Sequence, residues 1–229
     1  MKRSPISSTL LGVAMLLVSL GAFAAQDREG TIRINGGRMT VALQANPQKI
    51  EQSPADPASL VTIYSDLGTG TKVYLSNIGW SVTGPQVPGG KVDSATPFTP
   101  KSNFNLVLLK AAILTASGTN GVTLSLNRDN NGAPGTAIKI WNLVNLPPFP
   151  SCCKLDLARL KTTVRVNKGV QYWLVATTSK ITQDSSDSWN MNSRNIFGTV
   201  GQRFNNGSWE VIKNSALLPA FSVLGTPAD

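Results

Sequence analysis

The sequence predicts an all-β fold: an antiparallel β-sandwich, jelly-roll-like, preceded by a short N-terminal arm. Three observations carry that prediction. From Leu60 onward, apolar and polar residues alternate with period two, as Val122, Leu124 and Leu126 do against Thr123, Ser125 and Asn127, the pattern of strands with one buried face. Clusters of Gly, Pro, Asn and Ser separate the segments, as in a sandwich of short strands. No stretch of this region repeats apolar residues at a helical spacing.

In chain order, Lys2 and Arg3 precede the apolar run Leu10–Val18, which exits through Gly21-Ala22-Phe23-Ala24. A charged start, a short apolar segment and a small-x-small exit make residues 1–24 a secretory signal peptide. A transmembrane anchor needs roughly 20 apolar residues, so no membrane span is expected after cleavage. Residues 25–59 read as an arm. Thr31–Ile34 and Arg38–Leu43 alternate around an Asn-Gly-Gly turn, and Pro47, Pro54 and Pro57 then mark a linker, because proline blocks both ladder pairing and helix continuation.

Residues 60–229 form the sandwich domain. The nearly continuous apolar run Phe104–Leu114 is a strand buried on both faces or a short helix, and its polar flanks favour the strand. Val122–Asn127 and Ile138–Ile140 are strands joined through Asp129–Gly135, a segment dense in residues that accept turn dihedrals. Further strands fall at Val164–Val166, Tyr172–Ala176, Trp189–Asn192, Gln202–Asn205, Trp209–Ile212 and Ala220–Leu224.

Composition removes several chemistries. The chain has no His, which excludes a Ser-His-Asp triad, a Cys-His pair and His-liganded zinc. No nucleophile elbow, P-loop or dinucleotide fingerprint is present. Lys and Arg number 21 against 12 acidic residues, but the cations are scattered singly, without the basic run of a nucleic-acid footprint. Asn127–Gly132 resembles the first half of a calcium loop, yet Ile138 stands where the bidentate Glu belongs. We read it as a strand connection, and expect neither a metal nor a cofactor.

Two sets of residues are candidates for a site. Cys152 and Cys153 are adjacent, and across a trans peptide their Cα atoms are about 3.8 Å apart, short of the roughly 4.4–6.8 Å usual for disulfides. A vicinal disulfide with a distorted ring, two separate thiols and an intermolecular bond all stay open. Among the tryptophans, Trp173 reads as core, because both faces of its strand look buried. Trp141, on the opposite parity to Ile138 and Ile140, and Trp189 and Trp209, amid Asp, Ser, Asn and Gly, are candidate ligand platforms. Asp184 and Asp187 lie in a Ser-rich segment that reads as a solvated loop.

Together, Thr62–Gly68, Gly79–Val82, Phe98–Pro100, Asn120–Leu126, Asn131–Gly135, the Cys pair, Tyr172–Ala176, Trp189-Asn190 and Pro219–Val223 resemble the choice-of-anchor R domain of secreted bacterial proteins, over about residues 60–225. The resemblance implies an extracytoplasmic β-sandwich with no established catalytic residues to carry over. Members of that group often end in a sorting anchor. Gly225–Asp229 carries no apolar tail, so secreted or periplasmic residence is expected.

The function expected from these readings is an exported, non-catalytic module that binds an extracellular carbohydrate or a cell-surface component. The alternatives are a carboxylate-dependent polysaccharide hydrolase, which needs two acids flanking the scissile bond, and a purely structural envelope or matrix protein.

Overall fold

The computed structural model describes residues 60–229 and the strand pair at 29–34 and 37–42. Residues 1–28, 35–36 and 43–59, which include the segments read from sequence as a signal peptide and a linker, lie outside the described residues. The strands are β1 (Glu29–Ile34), β2 (Gly37–Ala42), β3 (Val61–Ser65), β4 (Tyr74–Thr83), β5 (Val92–Phe98), β6 (Phe104–Ala111), β7 (Ile113–Ser117) and β8 (Gly121–Asn130). They continue with β9 (Ala133–Val144), β10 (Asp156–Val166), β11 (Tyr172–Thr177), β12 (Ser186–Asn192), β13 (Phe197–Phe204), β14 (Trp209–Leu217) and β15 (Phe221–Pro227). No helix among the described residues is long and apolar enough to cross a membrane.

Two antiparallel sheets pack face to face, as expected for a β-sandwich. The smaller has four strands in the order β10-β6-β15-β3. The larger links eleven strands in a branched network, with β1-β2-β4-β5-β11-β8-β9 as its main path, β12 and β7 beyond β4, and β13 and β14 beside β5. The two short strands read from sequence pair antiparallel as β1 and β2, and β2 pairs with β4 through Met39 opposite Trp80. Gln202 fastens this hairpin: its side-chain amide donates to Arg38 O at 2.8 Å and its oxygen accepts from the Arg38 amide.

The apolar run Phe104–Leu114 is strand on both sides of Ala112. It belongs to the small sheet as β6 and to the large one as β7, crossing between them at Ala112. Leu108, Leu109 and Ala111 to Leu114 have no exposed surface, because a chain that changes sheets is covered on both sides. The main core lies between the sheets, where Leu106, Leu109, Ile113, Leu124, Leu126, Leu174, Trp189, Phe221 and Val223 meet. A second layer of packing forms where the β13–β14 hairpin covers the outer face of the large sheet, around Trp80 and Met191 and around Trp173 and Trp209.

The β8–β9 connection is a two-residue hairpin turn. Asn130 pairs with Ala133, and Asn131 and Gly132 have φ of 53° and 81°, the positive pair required by a type I′ turn and supplied at low cost by Asn-Gly. Asp129 closes it by accepting from the Gly132 amide at 3.0 Å, the Trp173 indole at 2.7 Å and Gln171 at 2.7 Å. Its oxygens are engaged by protein donors, consistent with a strand connection. Those hydrogen bonds hold the Asp129 carboxyl below its ordinary pKa.

Candidate functional site

The structure separates the three tryptophans read as platforms. Trp189 is a correction: it is 0% exposed, packs against Phe221 with ring centroids 6.2 Å apart and donates its indole N–H to Ala220 O. Its polar neighbours suggested an exposed face, but the strand read there from sequence is held between β4 and β7, so both its faces are covered. Trp209 is half-buried, and one face of its ring carries the Arg203 guanidinium, 4.8 Å from the centroid. Arg203 is in turn fixed by the buried carboxylate of Asp93 at 2.7 Å.

Trp141 lies at the side of the sandwich, where β9, the last strand of the large sheet, approaches β10, the last strand of the small one. Its parity differs from the expectation. The β8–β9 register slips at Ile138, so that Leu126 faces Lys139 while Asn127 faces Ala137, and a β-bulge of this kind reverses the sides that later residues take. Trp141 therefore stands opposite inward-facing Leu124 and packs on the main core, while Ile140 and Val144 are 57% and 63% exposed. The Trp141 indole N–H donates to Arg159 O of β10 at 3.3 Å. That bond joins the two sheet edges at a half-buried aromatic ring.

Beyond Trp141 on the same strand, Asn142, Leu143 and Val144 form one wall of a groove of about 250 Å³. Gly121, Val122 and Thr123 form its floor, and Ser179 to Thr182, in the loop after β11, form the opposite wall. A Cβ at Gly121 would approach Thr182 and Val144 at 3.4 and 3.6 Å, so glycine there keeps the groove open. Thr123 donates to Asn142 at 3.0 Å, and Ile181 projects at 82% exposure. The volume is below the roughly 300–1,000 Å³ of sites that enclose drug-sized ligands, so the groove has room for part of a longer molecule. Sequence reading missed it because its walls come from two segments about 40 residues apart.

Three carboxyls are raised, and all are held inside. Asp66 accepts from the Phe221 amide at 2.7 Å and is pushed up to about 8 by burial. Burial also raises Asp156 to about 8, against the opposing hydrogen bond from the Ile113 amide, and Asp187 to about 7, against bonds from Ser185 and Thr115. Asp187 was read as part of a solvated loop. It belongs to β12 and is 0% exposed, a second correction with the same cause as Trp189. Asp184 does lie at the surface, where it accepts from the Thr119 amide at 3.2 Å. Buried perturbed carboxyls can mark active sites, but none of these lines the groove.

Cys152 and Cys153 form a vicinal disulfide, with a cis peptide between them in place of the trans link assumed from sequence and Cα atoms 3.1 Å apart. Both sulfurs face Thr71 O, at 3.8 and 3.5 Å. Cys153 is buried with Tyr74, Leu114 and Phe149, and Cys152 packs at the rim of that cluster. The pair lies in a packed corner of the fold and lines neither the seam nor the groove. Among the described residues, no group of three or more Cys, Asp or Glu is placed to hold a metal ion. No family model matches the chain, and no curated protein is significantly similar to it.

Proposed function

We propose that the chain is an exported, non-catalytic β-sandwich module that binds an extracellular carbohydrate or cell-surface component along the β9 side of the sandwich. The observation that carries this reading is the placement of half-buried Trp141 on the same strand as a groove lined by Thr123, Asn142, Ser179 and Thr182. An aromatic surface beside hydroxyl and amide groups can pack on a sugar ring and satisfy its hydroxyls. Burial of Asp66 and Asp187 supports binding over hydrolysis, since neither can flank a glycosidic bond. The resemblance to the choice-of-anchor R domain and the charged, apolar, small-x-small start belong to the same proposal.

The test is a screen of labelled glycans and cell-envelope fractions, with hydrolysis assays on the same glycans. Binding without turnover, weakened at least about tenfold by Trp141→Ala, or about 1.4 kcal/mol, is expected. Turnover on any of them overturns the non-catalytic reading, and no binding to either class overturns the module reading. N-terminal sequencing of exported protein should begin just after Ala24 or Ala25, and intact Met1 in a cytosolic fraction overturns export.

A further inference from the structure

We propose that the exposed edge formed by β10 and the turn after it is a docking surface for an acidic polysaccharide. The inference deepens the glycan reading above and rests on it. The cations of this chain form no continuous run, but four of them fall within residues 159–168 and the fold brings a fifth beside them. Arg159, Lys161 and Arg165 are exposed along β10, and Lys168 is exposed in the turn that follows. The Lys168 amide donates to Asn103 Oδ1 at 3.0 Å and the Gly169 amide to Pro100 O at 3.0 Å, which brings exposed Lys101 beside them. Because β10 is the last strand of its sheet, this row lies along an edge, which β9 meets at Arg159.

Lys91 and Arg203 form ion pairs with Asp93, which belongs to β5 in the other sheet. Arg165 reaches Asn167 Oδ1 at 3.3 Å and the backbone oxygen of Asp229, the acidic residue in contact with the row. The carboxyl that β10 itself carries, on Asp156, is turned toward the Ile113 amide, with its second oxygen sealed from solvent. Asp66, Asp93 and Asp187 are buried as well. Asp66, Asp93, Asp156 and Asp187 point inside while these cations stay out, which leaves this edge with an excess of positive charge.

Arg159 and Arg165 stand opposite Leu108 and Asn105. The register breaks between Arg159 and Val164, so these partners are three residues apart on β6 and the two arginines lie about 10 Å apart along the sheet at about 3.3 Å per residue, a spacing that lets neighbouring charges of a linear chain engage both. Single exposed charge contacts are weak, so affinity has to come from several engaged together. Between the cations lie exposed Thr162, Thr163 and Asn167, which can hydrogen-bond sugar hydroxyls, while β10 offers no exposed aromatic ring on which nucleic-acid bases could stack. The Trp141 indole bonds to the backbone of this strand at Arg159, so the edge adjoins the site already described.

The test titrates the full-length exported protein with labelled polygalacturonate, neutral dextran and a short DNA duplex, at low salt and at about 0.3 M salt, where screening is short-ranged. Two variants of equal net charge are compared: Arg159→Gln/Lys161→Gln/Arg165→Gln on the edge, and Lys72→Gln/Arg194→Gln/Lys213→Gln elsewhere. Glutamine keeps part of the aliphatic stem, and thermal unfolding of both variants confirms the fold. We expect polygalacturonate to bind, to weaken with salt, and to lose at least about tenfold affinity in the edge variant against less than about twofold in the control. Equal losses in the two variants overturn the inference, as net charge alone would then explain binding, and so does duplex DNA binding as tightly as polygalacturonate. Dextran binding unchanged in both variants, without polygalacturonate binding, leaves the glycan reading standing and removes this one. If no glycan binds, both fall.

Discussion

Strands β12 and β10 are both rich in polar residues, yet the fold treats them in opposite ways. β12, Ser-Asp-Ser-Trp-Asn-Met-Asn, is buried at every position, whereas β10 exposes Arg159, Lys161, Thr162, Thr163 and Arg165. Polar side chains on β12 are short and carry no fixed positive charge. Asn190 donates to Leu75 O at 2.7 Å, and Asn192 donates to Ile196 O and Leu218 O at 2.9 Å while accepting the Ile196 amide. Asp187 can shed its charge by holding a proton. A buried polar group is tolerable when it is hydrogen-bonded and neutral. Arginine and lysine keep their charge at ordinary pH, so a strand that carries several of them without acidic partners keeps an open face. Polarity by itself therefore does not locate a strand, but the length and charge of its polar side chains do.

The largest test of that contrast removes the apolar anchor of the polar strand. Trp189→Ala should cost about 3–5 kcal/mol, read as a lower urea midpoint. A loss under about 1 kcal/mol would mean that the hydrogen bonds alone hold β12 in place.

A second test concerns the protons. Asp66, Asp156 and Asp187 have folded-state pKa values of about 8, 8 and 7, above the roughly 4 of an unfolded carboxyl. The folded state then retains protons that the unfolded chain releases, so this contribution is fully present below about pH 4 and is lost as pH rises through 7 to 8. We expect denaturant stability to fall by about 2 kcal/mol or more from about pH 5 to about pH 8.5, and Asp187→Asn to flatten that slope. Stability that rises across this window would show the carboxyls to be ionised inside.

Asp129 sharpens the comparison from the surface side, since this carboxylate satisfies the indole of fully buried Trp173. Asp129→Ala should cost about 1–3 kcal/mol by leaving that N–H without a partner. Calcium should leave the wild-type melting temperature unchanged. A calcium-induced rise that Asp129→Ala abolishes would overturn the strand-connection reading of this turn.

The smallest effect is expected at Cys152 and Cys153. The loop they close is minimal, so a chain-entropy contribution is slight, and Cys152→Ser/Cys153→Ser should shift the unfolding free energy by less than about 1 kcal/mol. Intact mass with and without reductant, followed by thiol labelling, checks the bond. Two freely labelled thiols in unreduced exported protein would contradict it.

Local sequence determined much of this protein. Alternation in Val122–Asn127, the Asn131-Gly132 turn and the two short strands of the arm follow from dihedral preference and from which residues leave water, and these are nearest-neighbour properties. Core burial of Trp173 was legible for the same reason, as its strand is apolar on both faces. Tertiary structure alone decided the rest. Trp141 changed sides because one extra residue at Ile138 slipped the register, which no period count of β9 by itself registers. Trp189 and Asp187 went inside because β4 and β7 arrive from distant parts of the chain to supply partners. The groove likewise joins segments that are remote in sequence, so its chemistry exists only once the sheets have paired.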